Sequence, residues 1–136
     1  MYNTILVPVD LSHKERVAPM VETAKLLADG DAKIILANIV EDIPAYVAAQ
    51  IPADVLEDSE ASSKAGLDII AKESGLDVET VVVRGHAGNS ILDLAEERNV
   101  DAIVIASHKP GWEDYLIGST AARVVRHAKC SVHVLR

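Results

Sequence analysis

Gly118, Ser119 and Thr120 stand at the start of a helical pattern, at the far end of a polar loop that follows an apolar run. That order has chemical consequences. Glycine lets a bound group come close to the backbone. The two hydroxyls and the first free amides of a helix gather at its positive end, which suits an anion. The same tripeptide also makes a plain helix start, so both readings stand. His108 and Lys109, one loop away, either add charge to such a site or lie solvated. Asp10 closes the first apolar run and can accept hydrogen bonds from a ribose or an amine. It can equally cap a helix or bond within its own loop.

Alternating elements must position these residues. "TILVPVD" (4–10), "KIILANIV" (33–40), "VETVVVRG" (78–85), "DAIVIAS" (101–107) and "SVHVLR" (131–136) read as strands. Helical patterns lie between them at about 13–29, 54–73, 89–98 and 119–128. The middle strands are nearly continuous apolar runs, as expected when helices cover both faces. The alternation predicts an α/β fold with one doubly wound, five-stranded parallel sheet. Ser12 and Glu15 have capping-box spacing. Gly30 and Gly75 suit left-handed helix ends, and Asn89 or Ser90 suits a helix start. Pro19 predicts a distorted early turn, since an interior proline costs about 3 kcal/mol. Residues 41–53, with two prolines, read as an irregular excursion.

In such a sheet, ligands lie beyond the carboxyl ends of the strands where the winding reverses. For strand order 3-2-1-4-5 the reversal falls between strands one and four. "PVDLS" and "ASHKPGWEDYLIGST" would then flank one crevice. The last strand alternates Val132, His133 and Val134, a half-buried edge pattern. An apolar edge invites pairing with a second copy, unless Lys129 and Arg136 shield it.

Composition narrows the classes. The 136 residues suggest one domain, residues 1–136. With 3 % aromatics and no Phe, the core must be aliphatic. Net charge is −8, but unevenly placed: residues 1–106 carry 8 Lys/Arg against 19 Asp/Glu, and residues 107–136 carry 5 against 2. That balance argues against nucleic-acid binding over a broad face, while a local basic end can hold a small anion. One cysteine, Cys130, excludes an intrachain disulfide and reads as core. No run of about 18 apolar residues predicts a membrane span. The start "MYNTILVPVD" lacks a secretory pattern, so a cytoplasmic protein is expected.

Several segments in order resemble the universal stress protein family: "ILVPVDLS", "ILANIVED", "VVVRGHAGNSILDLAEERNVDAIVIASH" and "LIGSTAARVVRHAKCSVHVLR". "ASHKP" and "YLIGST" are most similar to the short, single-domain F/G-type bacterial members. The resemblance covers essentially the whole chain. It implies strand order 3-2-1-4-5, a homodimer through the last strand (Val132, His133 and Val134) with higher oligomers open, and a role in stress response. It also implies adenine-nucleotide binding: ATP, or AMP or ADP, with Mg as a companion and no permanent metal. Pro8, Val9 and Asp10 would line the adenosine end, Asp10 near the ribose, and Ile39 would contact adenine. Gly118, Ser119 and Thr120 would hold phosphates, with Ala106, Ser107, His108 and Lys109 completing the loop. ATP-binding members carry G-x2-G-x9-G-[ST]. Here the first two glycines are Ala106 and Lys109, and the interval to Gly118 is one residue short. Lys109 either blocks the phosphate path or compensates by charge.

Enzymatic alternatives find less support. G-x-S-x-G and G-x-x-x-x-G-K-[ST] are both absent. The acidic pair and lysine of a phosphoacceptor receiver are not evident. Glu113 and Asp114 serve a slow ATP hydrolase only by loop placement. Trp112 reads as a lid, a subunit contact or a packing anchor. The remaining rival is a nucleotide-free dimeric scaffold of the same fold.

Overall fold

The structure, a computed structural model, describes residues 1–41, 43–107 and 117–136. Five parallel strands, β1 (Tyr2–Pro8), β2 (Ala28–Glu41), β3 (Val78–Gly85), β4 (Ala102–Ala106) and β5 (Ser131–Leu135), form one sheet in the order 3-2-1-4-5. The expected doubly wound α/β architecture is present. Helices α1 (Val17–Leu27), a short α2 (Ala45–Ala48), α3 (Ala53–Ser74), α4 (Ala87–Glu97) and α5 (Ser119–His127) connect the strands.

Side-chain alternation along the strands divides the core into two layers. Ile5, Val7, Ile34, Leu36 and Val104 face α1 and α3, and meet Val17, Met20, Val21 and Leu67. Leu6, Ile35, Ala37, Ile103 and Ile105 face the other way and meet Ile91, Leu94, Ala121 and Val124 of α4 and α5. The division follows from handedness. Right-handed crossovers put α1 and α3 on one face while the chain winds from β1 to β3. After β3 the chain winds towards β5, so the same hand puts α4 and α5 on the opposite face. No described helix is long and apolar enough to cross a membrane.

Local details correct several expectations. β1 ends at Pro8, so Asp10 lies beyond it. A 3-10 turn at Lys14–Arg16 precedes α1, with no side-chain cap. The hydroxyl of Ser12, expected to cap, donates to Asp10 instead. Pro19 sits in the first turn of α1, where its missing N–H has no intrahelical acceptor to lose. Gly30 is not a helix end. It lies within β2, where the register with β1 jumps from Tyr2↔Ala28 to Thr4↔Lys33. Asn89 and Ser90 lie inside α4, and the Asn89 carbonyl is taken by Arg123 Nε at 2.6 Å. Cys130 is half-buried against the α4–α5 layer rather than fully enclosed. Burial, with the Asp101 carboxylate, pushes its thiol up from the usual range.

Gly75 is the left-handed end of α3 that the sequence predicts, at φ 68° and ψ 9°. An added Cβ would meet nothing within 4 Å. Gly75→Ala should therefore cost about 1 kcal/mol through backbone strain alone, read from denaturant unfolding. Lys33 Nζ of β2 lies 2.7 Å from Glu79 of β3, and Arg98 pairs with the other oxygen of that carboxylate. These cations, Lys33 first, hold the Glu79 carboxyl below its ordinary value. Its stabilisation is full above the unfolded value of about 4.3 and is lost as pH falls through the lower folded one. Glu79→Gln should lower stability at pH 7 and shallow its decline below about pH 4, as followed by urea unfolding against pH.

Candidate functional site

Pairing between β1 and β4 covers only Ile5↔Ala102 and Leu6↔Ile103. β1 continues to Pro8 and β4 to Ala106, so their carboxyl ends part. A cavity of about 350 Å³ opens at that point, in the range of ligand sites, roughly 300–1,000 Å³. Of the residues expected from the sequence, Pro8, Val9, Asp10, Ile39, Ala106 and Thr120 line it.

The wall from β1 is rigid. The Val9 amide donates to the Ala37 carbonyl at 2.7 Å, and the Val9 carbonyl accepts from Asn38 Nδ2 at 2.8 Å. Val9 itself is buried against the α1 side. Asp10 Oδ1 accepts the Ser12 amide at 2.9 Å, so the local-loop role read from the sequence is present. Asp10 still lines the cavity. Ile39 belongs to the α4–α5 layer and Ala106 to the α1–α3 layer.

The wall from α5 is organised by Ser107. This residue is buried and does not line the cavity. Its Oγ accepts from the Gly118 amide at 3.1 Å and its carbonyl accepts from the Arg16 guanidinium. It thus clasps both ends of the loop and holds them to the turn before α1. Gly118 is the residue preceding α5, with φ −57° and ψ 152°, and no side chain caps the helix. The first-turn amides are therefore not claimed by a capping side chain. Ser119 is exposed and lines an adjoining groove, while Thr120 lines both spaces. His108, Lys109, Trp112, Glu113 and Asp114 lie outside the described residues. Val132 and Val134 sit on the edge strand, packed against their own core, and His133 is exposed on the opposite side.

Sequence reading missed Ser12, His13, Arg16, Asn38 and Glu41 on the cavity wall. Asn38 had a signal: it is the one amide within the apolar run "KIILANIV" and is only 9 % exposed. Arg16 had none, because its reach to Ser107 spans 91 positions. Among the described residues no group of His, Cys, Asp and Glu could hold a metal ion.

Residues 1–136 match the family described as "Universal stress protein family". Universal stress protein G of Escherichia coli O157:H7 is 30 % identical over 142 aligned positions, covering 100 % of both chains. Two solved structures share the fold. A universal stress protein in complex with cAMP has a TM-score of 0.72 at 23 % identity, covering 99 % of this chain and 97 % of its own. One from Archaeoglobus fulgidus in complex with dAMP has a TM-score of 0.64 at 23 % identity, covering 99 % and 98 %. Strand order, the open crevice and full-length similarity agree: this chain belongs to the universal stress protein family.

Proposed function

We propose that the crevice between β1 and β4 binds an adenine nucleotide, ATP in the first instance, and that the protein acts in stress response by conformation or association rather than turnover. One observation carries this reading: the cavity lies at the winding reversal, with Asp10 on one wall and the start of α5 on the other. Relatives in complex with cAMP and dAMP support the ligand class. In this reading Pro8, Val9 and Ile39 enclose the base and Asp10 accepts from the ribose. Gly118, Ser119 and Thr120 receive phosphate with the free amides of α5. Ala106 and Ser107 form the base of the loop, and His108 and Lys109 supply charge. A Mg ion would ride on the phosphates, which suits its preference for phosphate and water oxygens.

A homodimer belongs to the same proposal. β5 is an edge of the sheet, and the backbone of an edge strand can pair with a second copy. Residues 1–136 would act as one domain in the cytoplasm. The rival reading, a scaffold without nucleotide, is favoured by Ala106, whose methyl stands on the cavity wall where ATP-binding relatives carry glycine.

Purified protein, denatured, should release an adenine nucleotide, and calorimetry should register ATP and AMP. Gly118→Val should weaken ATP at least about tenfold by blocking the approach to the amides. Unchanged affinity would overturn the phosphate assignment, and absence of any binding by the unaltered protein would favour the scaffold. Sedimentation at several concentrations should give a dimer; a monomer throughout would remove β5 as an interface.

A further inference from the structure

The crevice has a neighbour. A groove of about 460 Å³ follows the seam between α4 and α5, lined by His86, Ser119, Arg123, Arg126 and His127. Glu41, Ala87 and Thr120 line both spaces, so the groove continues the crevice past the first turns of the two helices.

We propose that this groove holds the anionic continuation of a nucleotide seated in the crevice: an extended polyphosphate chain, as in the bridge of a dinucleoside polyphosphate. The inference rests on the crevice reading above and adds a second site to it.

Charge is the first ground. The chain carries −8 overall, yet among the described residues the groove is lined by two guanidinium groups and two imidazoles against one carboxylate, Glu41. No acidic residue occurs on α5 to neutralise them. Arg123 and Arg126 stand three apart on one helix, so their side chains are neighbours on its surface. Preorganisation is the second ground. Arg123 Nε donates to Asn89 Oδ1 at 2.6 Å, which anchors one edge of the guanidinium. Its stem lies on Gly88 of α4, where an added Cβ would come within 2.8 Å of Arg123 Cδ. The terminal nitrogens of Arg123, and all of Arg126, make no hydrogen bond or ion pair among the described residues. The planar guanidinium fork of Arg123, held this way, suits the paired oxygens of a phosphate, and Arg126 adds a second fork beyond it.

Size agrees with the assignment. The crevice alone is at the small end for a ligand, and the groove beyond it is larger. A ligand ending at its first phosphate would leave the arginines untouched. A chain of several phosphates would pass Thr120 and Ser119 and reach Arg123 and then Arg126.

The test is calorimetric titration of the full chain with AMP and with diadenosine tetraphosphate. The unaltered protein should hold the long ligand about tenfold more tightly than AMP, and Arg126→Gln should abolish that gain with AMP binding unchanged. Arg126 is exposed and unpaired among the described residues, so this variant keeps its fold. Gly88→Ala, which displaces Arg123, should erode the same gain. Equal affinity for the two ligands, or an Arg126→Gln protein that keeps the preference, would overturn the groove assignment alone. Failure of AMP itself to bind the unaltered protein would sink the crevice reading and the groove with it.

Discussion

The parting of β1 from β4 after two paired positions is the constraint on which the rest of the molecule depends. Parallel strands in the sheet interior are otherwise held on both sides. β1 stays in register with β2 through Pro8↔Ala37, and β4 with β5 through Ala106↔Leu135. Only at the seam between the two halves does the ladder stop short. The connections on either side of that seam turn to opposite faces, because each crossover is right-handed and the winding direction changes there. The cavity is therefore a consequence of topology before any side chain is chosen.

What the side chains add is rigidity. Asn38 is a buried amide in an apolar strand, and its bond to the Val9 carbonyl keeps that wall from closing. An unsatisfied carbonyl in that position would cost about 1–3 kcal/mol. Ser107 does the same on the other wall, by accepting the Gly118 amide while Arg16 holds its carbonyl. Each wall is therefore fixed to its neighbours, and the Arg16–Ser107 bond ties the turn after β1 to the end of β4. That leaves the space between them available, with the electropositive start of α5 at one end.

The α4–α5 layer extends the same principle outward. These helices approach closely at Gly88, where the missing side chain gives room for Arg123. A basic groove, with Arg123 anchored to Asn89, results at the edge of the crevice. The acidic character of residues 1–106 and the basic end of the chain, visible as a simple count, thus become a local field with a direction.

Strand runs such as "KIILANIV" and "DAIVIAS" declared a doubly wound sheet, because only strands buried on both faces are apolar without interruption. Gly75 declared a helix end, since its conformation is a local matter. Asp10, Ile39 and Thr120 were legible as neighbours of the crevice through strand order and likeness to the family. Helix starts were not. Ser12 and Asn89 had the right types for caps, but Asp10 and Arg123 took their polar groups. Nor was Gly30 readable, because a register shift between β1 and β2 drew it into a strand. By itself, then, the sequence determined the layers, through period and handedness, and, through its likeness to the family, the strand order and with it the end of the sheet where chemistry can occur. Tertiary structure decided which polar groups remain exposed there, because bonds such as Arg16 to Ser107 and Arg123 to Asn89 join residues distant along the chain.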